Sequence, residues 1–195
     1  MTNNREVSGP EPTLWPESHV VAPFARPDQR DDVIRAFVGG GLRAGDKCIC
    51  VTESAAPVKI MESAGIDVRG CLVDRRLDLL RSADAYCPDG RIRSRELLDR
   101  WSEFFEDAIT GPPVFSHIRV ATEVSVAALR DHSGVDELFR SELAANCVFT
   151  KYPLRMVCLY DVHCFGSSLM IFLRTHPRLL VGDVVIANAA YVGSA

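Results

Sequence analysis

Apolar positions fall into short continuous runs separated by stretches with helical spacing. His19–Phe24 is an apolar run that reads as a strand. Behind it Val33, Ile34, Phe37 and Val38 repeat at helical intervals, with Asp28 as a cap and Gly39-Gly40-Gly41 as the stop. Lys47–Thr52 is a short β-rich run, and Ser54 and Pro57 open a short helix that Gly65 closes. Cys71–Val73 and Leu77–Leu80 read as short strands, and Pro88-Asp89-Gly90 as a turn. Ser94 can cap the clearest amphipathic helix, in which Leu97, Leu98, Trp101, Phe104, Phe105, Ala108 and Ile109 share a face. Gly111-Pro112-Pro113 ends it, and Val114–Val120 reads as a strand. A third long helix is expected from about Val135 to Cys147, with Leu138, Phe139 and Leu143 inward. Met156–Tyr160 reads as a strand, Ser167–Leu173 as a helix and Asp183–Ala187 as the last strand. Residues 1–17 are polar and proline-containing and read as a flexible tail, leaving 18–195 as a single domain.

Strands that alternate with helices and are apolar on both faces predict a three-layer α/β domain. Its central sheet is mostly parallel and flanked by helices. Such sheets bind ligands beyond the carboxyl ends of their strands. The strand-end residues His19, Phe24, Thr52, Glu53, Arg119, Glu123, Tyr160, Asp161, Asn188 and Tyr191 are therefore the candidate ligand-binding set. Each also has a structural reading. Arg119 can pair with Glu123, Asp161 can cap the next helix, and Tyr160 can simply pack. Pro177 would end the helix before it, and Glu142 reads as a solvated mid-helix residue.

Composition narrows the classes. The chain has 195 residues, 47 % of them hydrophobic and 25 % charged, with a net charge of −4. That is one ordinary soluble domain with no global basic footprint for nucleic acid. No run approaches the roughly 18 apolar residues of a membrane span, and the N-terminal segment lacks the apolar middle of a signal peptide. Seven cysteines without framework spacing suit reduced thiols in a cytoplasm.

The nearest approach to a phosphate-binding loop is GGLRAGDK, Gly40 to Lys47. Asp46 is inserted before the lysine, and Cys48 replaces the hydroxyl residue that would hold magnesium. The segment also follows a helix and precedes a strand, so no helix N-terminus is presented to phosphates. CxxC, HExxH and G-x-S-x-G are absent. Cys158, His163 and Cys164 come nearest to a metal cluster but match no standard zinc spacing, so they read as core thiols and a turn histidine. His163 and Cys164 stay as the metal candidates, and Cys164 and Cys87 as candidates for thiol redox chemistry. No catalytic residues and no cofactor are predicted.

The segment RMVCLYDVHCFGSSLMIFLRTHP, followed by NAAYV, resembles the MEDS domain, the methanogen/methylotroph, DcmR-type sensory domain. Cys158, Tyr160 and Asp161, then His176-Pro177, then Asn188 and Tyr191 carry the resemblance. His19, Phe37 to Gly45, Tyr86 with Gly90, Arg119 with Glu123, and Glu142 extend it over most of the chain. It implies a RecA/KaiC-like core without a phosphate-binding loop. It also implies a non-catalytic sensor of small organic molecules, such as halogenated or methylated compounds, acting on transcription or signalling. Such domains are fused to DNA-binding, histidine-kinase or anti-sigma-factor kinase domains. This length leaves no room for one, so action in trans on such a partner, or an excised domain, is expected. The RecA-type likeness also implies self-association. The alternatives are a ligand-independent interaction module for a kinase or anti-sigma factor, a metal, haem or redox sensor using His163 or Cys164, and, last, a residual enzyme.

Overall fold

A computed structural model describes residues 19–54, 56–124 and 132–193. The strands are β1 (His19–Phe24), β2 (Lys47–Thr52), β3 (Leu77–Arg81), β4 (Ile118–Glu123), β5 (Leu154–Asp161), β6 (Arg178–Val181) and β7 (Val184–Ala187). They form one seven-stranded sheet in the order β3-β2-β4-β5-β1-β6-β7, parallel throughout except for the β6–β7 hairpin. All six β2 positions are buried, as expected for a strand covered on both faces.

Helices α1 (Pro27–Ala44), α2 (Ala56–Ser63) and α3 (Val68–Val73) cover one face. There Ile34, Phe37 and Val38 pack with Met61, Val68 and Cys71 on Val20, Ala22, Cys50 and Leu159. Helices α4 (Ser82–Tyr86), α5 (Ser94–Thr110), α6 (His132–Phe149) and α8 (Leu169–Leu173) cover the other. There Tyr86, Trp101, Phe105, Leu138 and Phe172 pack on Val21, Val120, Met156 and Cys158. The short α7 (Val162–Phe165) and a 3₁₀ turn (Gly166–Ser168) join β5 to α8. The α/β three-layer, mostly parallel architecture is the one expected.

Several local expectations are corrected. Gly39–Gly41 do not stop α1, which runs on to Gly45, the residue with positive φ (83°). The glycines serve packing: a Cβ on Gly41 would lie 2.7 Å from both Arg119 Cδ and Cys48 Sγ. Asp28 lies inside the first turn of α1, with Arg26 at the cap position and Pro27 at the start. Cys71–Val73 belongs to α3, capped by the Asp67 side chain, because a three-residue apolar run has no period of its own. Val114 is exposed and β4 begins at Ile118. Helix α4 and strand β6 had no sequence signal, each being only five or four residues long. The predicted tail, residues 1–17, lies outside the described residues.

Candidate functional site

Alternation along β1 and β5 decides which side chains meet beneath α6 and α8. Val21 pairs with Cys158 in parallel register, so His19, Cys158 and Tyr160 all face this side. Helix α6 adds Glu142, on the same stripe as Leu138, Ala145 and Phe149. The turn after α8 adds Thr175 and His176. His19, Glu142, Cys158, Tyr160 and His176 are all buried.

Glu142 stands at the centre. Its Oε1 accepts a hydrogen bond from Tyr160 OH at 2.8 Å. Its Oε2 lies 3.3 Å from His19 Nε2 and 3.5 Å from His176 Nε2. His19 Nε2 is also 3.1 Å from Cys158 Sγ. Outer partners fix both imidazoles. His19 Nδ1 lies 3.3 Å from Asn146 Oδ1, while the Asn146 amide nitrogen donates to the Thr175 and Glu142 carbonyls. That leaves Oδ1 as the acceptor and His19 Nδ1 as a protonated nitrogen. His176 Nδ1 lies 2.9 Å from the Phe172 carbonyl, which can only accept, so it carries the proton there. His176 Nε2 is consequently turned into the cluster, and it has no hydrogen-bond partner among the described residues.

The setting is apolar. Phe149 packs edge-on against His19, Phe172 stacks on Tyr160, and Phe165 closes over both Tyr160 and Phe172. Burial pushes His176 down to about 3, with the His19 ring adding to the effect, so it is neutral at physiological pH. Burial alone would push Glu142 up. The interaction with His19 and the Tyr160 hydroxyl outweigh it and hold the carboxyl below its ordinary value. Burial raises Cys158 well above the ordinary thiol, with Glu142 beside it adding to the effect.

A cavity of about 440 Å³ opens at the amino ends of β1, β5 and β6 and meets the cluster at His19. Its walls include Phe149, Met156, Pro177, Arg178 and Tyr191, and His19 forms part of its floor.

The remaining candidates lie elsewhere. At the carboxyl ends, Glu123 lies 3.5 Å from Arg30 Nη1 and accepts from Glu53 N at 3.1 Å. Thr52 Oγ1 donates to the Ser54 carbonyl. Phe24 is core and also edges a second cavity, with Val33, Ala36 and Leu180. Asp161 caps α7 by accepting from His163 N and Cys164 N. Arg119 does not pair with Glu123. The two are four residues apart on one strand, about 13 Å, and Arg119 binds Asp46 at 2.7 Å and the Phe37 carbonyl instead. Asn188 donates to the Leu173 and His176 carbonyls and so holds the segment carrying His176. His163 is exposed with Nε2 on the Ala25 carbonyl, and Cys164 is exposed, so neither joins Cys158 in a cluster. Glu142 is not solvated: it is 5 % exposed. Its place on the Leu138 stripe was the signal for that.

The β1–α1 connection, where a phosphate-binding loop would follow a strand, is also filled from within. The Gln29 side chain accepts from both Ala25 N and Arg26 N.

The family model of the MEthanogen/methylotroph, DcmR Sensory domain (MEDS) matches residues 18–177. No curated protein matches. Among solved structures, an uncharacterized protein from Pyrococcus horikoshii, in complex with an unknown peptide, is similar at TM-score 0.61 and 14 % identity. The match covers 84 % of this chain and 76 % of that one. The flagellar accessory protein FlaH from Methanocaldococcus jannaschii is similar at TM-score 0.58 and 15 % identity, over 91 % and 81 %. These likenesses concern the fold, and they agree with the RecA-like architecture expected from the sequence.

Proposed function

This chain belongs to the MEDS family of sensory domains, and from that premise we propose that it senses a small organic molecule in the cavity beside His19. The observation that carries the reading is the position of His19. It is at once part of the cavity floor and a member of a buried cluster of ionisable groups. The volume suits a small ligand, and the lining sets Phe149, Met156 and Pro177 beside the polar groups of His19, Asn146, Thr150 and Arg178. Buried ionisable groups are costly and concentrate where function needs them.

The domain would be non-catalytic and would pass its state to a regulatory partner, such as a kinase, an anti-sigma factor or a DNA-binding protein. The sequence has no G-x-x-x-x-G-K-[ST] motif, and Gln29 already occupies the amides at the β1–α1 turn. A cytoplasmic setting suits seven free cysteines. No helix of the described residues is long and apolar enough to cross a membrane.

A thermal-shift screen of small halogenated and methylated organic compounds tests the ligand reading. A compound present at a hundredfold its Kd stabilises by about 2.7 kcal/mol, and Tyr191→Ala should reduce the shift. The reading fails if no compound moves the wild-type transition, or if Tyr191→Ala responds as fully as wild type.

A ligand-independent interaction module is the second reading. Val181, Val184 and Ile186 are exposed on the β6–β7 hairpin at the free edge of the sheet, which favours it. A transition indifferent to every compound, with association altered by Val184→Lys, would shift support to it.

A further inference from the structure

We propose that His19, Glu142, Cys158 and His176 form a tetrahedral site for a divalent transition-metal ion, zinc above all. One ligand atom from each residue lies within 4.8 Å of every other, and the close approaches are made by His19 Nε2, Glu142 Oε2, Cys158 Sγ and His176 Nε2. Zinc bonds to nitrogen, oxygen and sulfur are about 2.0–2.3 Å, which sets donor–donor edges of about 3.3–3.7 Å around a tetrahedron. Three of the edges here are 3.1, 3.3 and 3.5 Å. The remaining edges lie within 4.8 Å, so closing the site around an ion asks for side-chain shifts of up to about 1 Å.

The chemistry agrees with the spacing. Imidazole, thiolate and carboxylate together suit zinc better than a hard cation such as magnesium or calcium. Two neutral imidazoles, one thiolate and one carboxylate balance a dication, so the filled site is neutral inside an apolar wall. Binding the ion displaces the Cys158 thiol proton to solvent, and no electron changes hands.

Two independent observations point to a ligand. The first is His176 Nε2, which belongs to a residue with 0 % exposure and has no hydrogen-bond partner among the described residues. With its proton fixed on Nδ1 by the Phe172 carbonyl, the Nε2 lone pair faces the Glu142 carboxylate at 3.5 Å. Two electron-rich groups face each other across a gap that a cation would reconcile. The second is the outer shell. His176 Nδ1 is held by a backbone carbonyl, His19 Nδ1 by the Asn146 amide oxygen, and the spare Glu142 oxygen by Tyr160 OH. Metal-binding imidazoles are oriented in this way, with the second ring nitrogen bound to a carbonyl or carboxylate. His19 borders the cavity, which supplies an entry path for the ion. Ion binding does not depend on an organic molecule entering the same cavity.

The ligands come from the first strand, α6, the fifth strand and the turn after α8. That scatter explains why no CxxC or HExxH spacing announces the site. The pair the sequence offered for metal, His163 and Cys164, is not part of it.

The test uses the full chain, freed of metal with chelator and titrated with cobalt(II) or zinc(II). We expect one equivalent of zinc retained through desalting. With cobalt we expect thiolate charge-transfer absorption and the intense visible bands of four-coordinate cobalt. Cys158→Ser should lose the charge-transfer band, whereas Cys164→Ser, at an exposed thiol, should keep it. Asn146→Ala, which frees His19 to rotate, should weaken zinc about 10–100-fold. Folding of each variant is checked by circular dichroism, and the wild-type cobalt titration decides the matter even if Cys158→Ser fails to fold. Folded wild-type protein that retains no zinc and develops no cobalt band overturns the site, as does a charge-transfer band that survives in folded Cys158→Ser. Either result leaves the organic-ligand reading to its own thermal-shift test.

Discussion

Glu142 shows how far one residue governs the interior. Its carboxylate accepts from Tyr160 OH and stands within 3.5 Å of both His19 and His176. Glu142→Ala would leave the Tyr160 hydroxyl buried without its acceptor. A buried donor left unsatisfied costs about 1–3 kcal/mol, and urea unfolding should show a loss of that order. Acid should act on the same cluster. His176 is held down to about 3 when folded, against an ordinary value of about 6.5. Between those values the unfolded chain binds the extra proton, so stability rises with pH across the window. His176 contributes its full share above about 6.5, and that share is lost progressively as the pH falls through the window. Glu142 acts in the same sense at the acid end. Its folded value is depressed, so its contribution is present above the unfolded carboxyl value and lost as pH falls through the folded one. Melting curves with chelator present should therefore fall between pH 6.5 and 4, and His176→Gln should flatten the slope. An unchanged slope in His176→Gln would remove that imidazole from the account. Residue-level reading identified His19 and Tyr160 by their place in strands. It set Glu142, Cys158 and His176 aside because each alone has an ordinary structural role, and only the tertiary arrangement joins them.

Elements with a long period or a continuous apolar run were legible, and short ones were not. The amphipathic stripe of α5 and the apolar run of β5 emerge in place. The four-residue β6, whose pairing with β1 completes the cavity wall, carries no pattern of its own. The three glycines of α1 were misread because a glycine run signals either a stop or a close approach, and sequence alone does not choose. Here it is close approach, and it yields a prediction. Gly41→Ala sets a methyl 2.7 Å from Cys48 Sγ and the Arg119 side chain. Cys48 is buried in the sheet and cannot retreat, so the cost should be about 1–3 kcal/mol. Chemical denaturation of Gly41→Ala as stable as wild type would show that α1 can shift away without loss.

At the scale of the molecule, the RecA-like sheet puts its two ends to different uses. At the carboxyl ends, where such sheets commonly bind ligands, Arg30, Glu123 and the Glu53 amide satisfy one another, and Gln29 fills the first turn. At the amino ends of β1, β5 and β6 a cavity opens beside His19, one member of the buried cluster. The sheet, its parallel order and its two helical layers followed from alternation of elements. The cavity and buried cluster at the amino end did not, because they depend on side chains brought in by α6 and the turn after α8. The central claim is that ligand is sensed at the His19 end. Imidazole carbon–proton NMR measures this directly, because His19 lies at the cavity and His163 lies beyond β5. A compound that raises the melting temperature should shift the His19 resonance and leave His163 unmoved. A shift confined to His163, with His19 unchanged, would place binding at the carboxyl ends and contradict the account.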